Sequence, residues 1–183
     1  MGSRRIYSET VPYDEVTRPT TVALLARYGL ELVLAVRPWQ LEDLARAARA
    51  LAGGGVPLSI WPMLADDQGR WASAENAPAF ARLVRQAVAS LEASGVRPRE
   101  VMLDLEPPFA EARALSHGAR GLLRVASSVR RSMRERAAFE ASAVALSDLV
   151  RELHARGVRT ASAVWPLVAL DPPGSAGWQA LLG

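Results

Sequence analysis

The chain reads as an α/β protein built on parallel strands, and two observations lead there. Four times a helical segment ends at Gly, a short apolar run follows, and a Pro closes it. These units are Gly29 to Leu32–Val36 to Pro38, Gly55 to Leu58–Trp61 to Pro62, Gly95 to Val101–Glu106 to Pro107, and Gly157 to Ala161–Trp165 to Pro166. Gly supplies the left-handed residue that stops a helix, and strands alternating with helices over such lengths pair in parallel through crossovers. The second observation is that the Val101–Glu106 run is apolar on its outward parity and mixed on the other, as suits a strand buried on both faces. The fold class expected is therefore a (β/α) barrel of TIM type with parallel strands and about five βα units. A complete barrel takes about 250 residues, so the expectation is a single domain over 1–183 forming the N-terminal portion of a (β/α)8 barrel.

The elements follow in order. Arg5 to Glu9 makes an opening strand, and Thr17 to Tyr28 a short helix. Gln40 to Ala52 carries Leu41, Leu44, Ala48 and Leu51 on one stripe. Gly53-Gly54-Gly55 sits where that helix hands over to a strand and is a tight turn, not a domain linker. Pro78 to Ser94 is the clearest helix, with Phe80, Leu83, Val84, Ala87, Val88 and Leu91 at three-four spacing, Pro78 near the first position and Gly95 beyond the end. Phe139 to Arg156 repeats the pattern with Leu146, Leu149, Val150 and Leu153. Asp66-Asp67-Gln68-Gly69 is a turn with too few oxygen ligands for a calcium loop.

Composition narrows the function classes. Half of the residues are hydrophobic and 22% are charged, as in globular proteins with a core. No apolar stretch reaches membrane-spanning length and no signal peptide opens the chain, so no membrane partner is expected and the compartment is left open. There is no cysteine, hence no disulfide or thiolate metal site. All 22 basic residues are Arg, and the net charge is only +3, which weakens a nucleic-acid reading. The arginines between Arg113 and Arg136 read as a solvated helical face. His117 and His154 are isolated, and no phosphate-cradling loop or nucleophile elbow is present. No cofactor and no metal ligand set is expected.

The chemistry concentrates at Asp104-Leu105-Glu106-Pro107-Pro108. Residues two apart on a strand share a face, with Cα atoms roughly 6.5–7 Å apart. Pro107 ends the strand, so Asp104 and Glu106 would stand at the C-terminal rim, where α/β barrels do chemistry. Counting back from each Pro by the same parity places Arg37, Ala35 and Val33, then Trp61 and Ser59, then Trp165, Ala163 and Ala161 on the inner face, with Tyr7 and Glu9 joining the rim. Coupled carboxyls can hold one proton between them and lift one pKa. The plainer alternative is that Asp104 and Glu106 pair with an inward arginine such as Arg37. Each Trp, Trp39 included, is better explained by core packing than by ligand stacking.

The run Val101-Met102-Leu103-Asp104-Leu105-Glu106-Pro107-Pro108 resembles the fourth-strand signature of chitinase-like family 18 glycoside hydrolases, Asp-x-Asp-x-Glu, and falls on the fourth expected strand. It departs from that signature at Met102, in place of the first Asp, and at Leu105, in place of an aromatic. The resemblance implies a TIM barrel that cleaves polysaccharide or oligosaccharide. In it Glu106 would be the general acid and Asp104 would orient the acetamido group or tune the acid. Glu9, Arg37, Trp61 and Trp165 would contact the sugar. Two other readings stay open: a non-catalytic carbohydrate-binding or scaffold protein with a degenerate barrel site, and a metal-dependent phosphodiesterase barrel using Glu9, Asp104 and Glu106 around Mg²⁺. Exposed edges at the first and fifth strands would allow self-association.

Overall fold

The computed structural model describes residues 4–73, 75–105 and 136–164. Its elements run β1 (Arg4–Ser8), α1 (Tyr13–Val16), α2 (Pro19–Arg27), β2 (Leu30–Val36), α3 (Leu41–Gly53), β3 (Leu58–Pro62), α4 (Ala77–Ala93), β4 (Glu100–Leu105), α5 (Arg136–Ala155) and β5 (Arg159–Val164). Single 3₁₀ turns at Pro38–Gln40 and Asp66–Gln68 follow β2 and β3.

All strand pairs are parallel and the strands lie in sequence order, β1-β2-β3-β4-β5. That order decides between the two common parallel architectures. A doubly wound sheet reverses direction and carries helices on both faces, whereas an unreversed order with right-handed crossovers keeps them on one. Here α3, α4 and α5 pack side by side over one face. The core lies between those helices and one parity of the strands: Leu32, Leu34 and Val36 of β2, Leu58 and Ile60 of β3, and Val101 and Leu103 of β4. Against them stand Leu44, Leu51, Phe80, Val84, Leu91, Leu149 and Leu153. The sheet is a curled half-barrel, and its opposite parity forms the inner, concave face.

Local chemistry accounts for the handovers. The four helix-stopping glycines, Gly29, Gly55, Gly95 and Gly157, all have positive φ, from 59° to 78°, which an L side chain adopts only at a cost. Gly54 has a different reason: a Cβ there would come within 2.0 Å of Val22 Cγ1, so the triple-glycine turn lets the α3–β3 corner press against α2.

Most expected boundaries shift by one to three residues. The Thr17 to Tyr28 helix is present as α2, two residues shorter at its start and one at its end, with Pro19 at its first turn, where the missing amide costs no intrahelical bond. The four-residue α1 before it had no expected counterpart. Glu106, Trp165, Trp178, His117, Asp171 and the arginines from Arg113 to Arg134 lie outside the described residues.

Candidate functional site

Strand parity falls as the sequence required. Val33, Ala35 and Met102 are buried yet take no part in the helix-side core, and they alternate with residues that do. Val33 pairs with Ser59 and Ala35 with Trp61 across β2 and β3. Asp104 pairs with Ala163 and Met102 with Ala161 across β4 and β5. Asp104 therefore belongs to the inner face, near the C-terminal end of β4, and is only 4% exposed. Its carbonyl accepts a hydrogen bond from the Ala72 amide at 3.0 Å, where the loop after β3 makes a bridge to Leu105.

At the C-terminal ends of β1, β2 and β3 the structure brings together Glu9, Arg37 and Trp61, three of the expected site residues. The Tyr7 and Trp61 rings meet edge to face with centroids 6.1 Å apart. Arg37 is anchored from three sides. Its Nη1 donates to the Leu64 carbonyl at 2.7 Å and to Asp66 Oδ1 at 3.2 Å, and Nη2 lies 3.7 Å from Glu9. Arg37 thus pairs with Glu9 and Asp66 instead of with Asp104, which corrects the simplest ion-pair alternative. The reason is reach: the 3₁₀ turn after β3 brings Asp66 to the guanidinium.

Arg70 completes the rim, and nothing in the sequence reading pointed to it. Its Nε and Nη2 donate to the two carboxylate oxygens of Asp66 at 2.8 and 2.9 Å, a bidentate pair, while Nη1 stands 3.5 Å from Glu9. The hydrogen bonds from Arg70 hold the Asp66 carboxyl below the usual carboxylate range, and Arg37 adds to the effect. Arg70 is also the one non-glycine residue with positive φ among the described residues, at 59°. Backbone strain of this kind persists where the surroundings over-determine it, and here the paired carboxylates, together with the bond from the Leu64 amide to the Arg70 carbonyl at 2.8 Å, do so. Asn76 pins the rest of the loop: its Oδ1 accepts from the Ser73 amide, and its Nδ2 donates to the Gln68 and Trp71 carbonyls.

Trp39 corrects another expectation. Far from packing in the core, it is 65% exposed beside the mouth, with the Arg37 guanidinium 5.8 Å from its ring centroid. Trp71 carries Arg70 in the same way at 5.7 Å.

The other end of the inner face holds a second set of charges that sequence reading passed over. Glu31, 1% exposed, accepts from Ser59 Oγ at 2.6 Å and lies 3.3 Å from Arg5 Nε and 3.6 Å from Arg99 Nη1. Glu100 accepts from Arg5 Nη1 at 2.6 Å and stands 3.9 Å from Arg159. The Glu100 carboxylate raises the Arg5 pKa further. A signal existed: Glu31 shares the parity of Val33, Ala35 and Arg37. These carboxylates stand at the N-terminal ends of their strands, among paired arginines, and serve the fold.

Among the described residues no cluster of three or more His, Cys, Asp or Glu side chains could hold a metal ion, and no helix is long and apolar enough to cross a membrane. Comparison with protein-family models, curated proteins and solved structures returns no match for the chain.

Proposed function

We propose that the mouth at the C-terminal ends of β1 to β4 takes a glycan, and that the chain is glycoside-hydrolase-like, with Glu106 as general acid and Asp104 as its partner. The observation that carries this reading is the common placement of Asp104 and the Tyr7–Trp61 pair on one concave face. A glycosidase needs a carboxyl that is shielded from water beside surfaces a sugar ring can lie on. Glu106 follows β4 directly in the chain, two residues after Asp104. The charged rim of Glu9, Arg37, Asp66 and Arg70 offers acceptors and donors for hydroxyl groups around those aromatic rings.

The test is hydrolysis of chito-oligosaccharides, which carry the acetamido group that the family resemblance implies. Glu106→Gln is expected to abolish cleavage with the melting temperature unchanged, and Asp104→Asn to lower the rate and displace its pH profile. Full activity in Glu106→Gln would reject the catalytic assignment.

One observation favours a second reading, a carbohydrate-binding protein without catalysis. The inner-face position two residues before Asp104, where the family signature carries another Asp, is filled by buried Met102. Binding of the same oligosaccharides without cleavage by the unaltered chain would select it. The phosphodiesterase reading is disfavoured by Glu9, whose carboxylate faces two guanidinium groups, Arg37 and Arg70, and so is poorly placed to serve a cation.

A further inference from the structure

The two edge strands of the sheet match one another. β1 and β5 are each paired on one side among the described residues. On β1 both Ile6 and Tyr7 are exposed, and on β5 so are Ser162 and Ala163, so each strand is open on both of its parities. Monomeric sheets guard such edges with charge or proline, yet Ile6-Tyr7-Ser8 and residues 160–164 carry neither. The helix layer is open at the same two places. Leu24 and Tyr28 of α2 are exposed, and the Arg4 guanidinium at the start of β1 donates to the Tyr28 carbonyl. On α5, Glu152 and Arg156 face α4 through Arg85 and Glu92, while Ala143, Leu146 and Val150 lie on the opposite flank of the helix and are only half-buried.

We propose that a second copy of the chain closes the sheet. With a two-fold axis along the barrel, β1 of each copy lies parallel to β5 of the other, so both edges are filled at once and the two mouths open at the same end. Area decides for closure over a single contact. Each end is a strand of at least five residues backed by a helix, about 17 Å long and about 20 Å deep, or about 350 Å² of surface. Closure brings four such surfaces together, about 1,400 Å² in all and within the range of stable complexes, whereas one edge against one edge buries about 700 Å², the size of a lattice contact. Pairing β1 with β1 would run the strands antiparallel and leave both β5 edges open. Any other partner would have to supply two parallel edges and two apolar helix flanks at this spacing, and a second copy already carries both. Closure also completes the mouth, because the C-terminal end of the partner's β5 comes beside Tyr7 and Glu9. None of this depends on what the mouth binds.

The chain has no cysteine, so single thiols placed on the edges report the pairing. Sedimentation of the unaltered chain is expected to give a dimer. A short bis-maleimide should join Ile6→Cys to Ser162→Cys when the two variants are mixed, giving a band at twice the chain mass, and should join neither variant to itself. Both side chains are exposed, so melting temperatures should match the wild type. Crosslinking of Ile6→Cys alone would mean that β1 meets β1, and a mass that grows past two copies with concentration would mean an open chain of subunits. Either result overturns the proposal. So does a monomer, whether its thiols react freely with maleimide or are shielded by another part of the same chain.

Discussion

Glu31 and Asp66 are both carboxylates facing arginines, yet their surroundings assign them different work. Glu31 is enclosed, but its arginine partners are less so: Arg5 keeps Glu100, and Arg99 is half exposed. Glu31→Gln removes charge-assisted hydrogen bonds without stranding a buried cation, and should lower the unfolding free energy by about 1–3 kcal/mol, read from chemical denaturation. Asp66 is half exposed, and exposed pairs contribute about 0–1 kcal/mol. Asp66→Asn should barely move global stability. Its effect belongs to the mouth, where it removes the carboxylate that Arg37 and Arg70 share.

The loop from Met63 to Asn76 is the element on which the mouth depends, since it reaches Glu9 beyond β1 through Arg70 and Asp104 on β4 through Ala72. Asn76 makes three hydrogen bonds within it, and at about 1 kcal/mol each after exchange with water, Asn76→Ala should loosen the loop. Hydrogen exchange at the Ser73 amide is expected to rise while the amides of β2 stay protected. Acid acts on the same loop. Because Asp66 has a folded pKa below its unfolded value, its contribution is complete above the unfolded carboxylate range near pH 4 and is lost as pH falls through the lower folded value. Protection of the loop amides, relative to their intrinsic exchange at the same pH, should therefore fall below about pH 4, before the helix-side core gives way. Unchanged protection at pH 3 would contradict this account.

At the scale of the molecule, stability and the proposed chemistry occupy opposite faces of one sheet. Phe80 is fully buried between α4 and the strands, and truncating such a ring costs about 3–5 kcal/mol. Phe80→Ala should therefore destabilise the whole fold, where Trp39→Ala does not. The sheet ends on β1 and β5, each paired on one side among the described residues, with Ile6 of β1 43% exposed. Self-association through these edges would show as sedimentation that changes with protein concentration, and Ile6→Lys should reduce it.

Much of this was legible from short-range rules. The alternation of stop-glycine, apolar run and proline gives strand number, parallel pairing and inner-face parity, because each depends on neighbours two to four residues apart. The same counting placed Asp104, Arg37 and Trp61 correctly. What it could not yield is which charges meet. Arg70 and Asp66 are close in sequence, yet their value lies in reaching Glu9 some sixty residues earlier, and only the curl of the sheet and the path of the loop decide that. Glu31 with Glu100, and Trp39 turned out to solvent, are of the same kind: side-chain type and local period specify the face of an element, whereas partner and exposure follow from what the rest of the chain places opposite it.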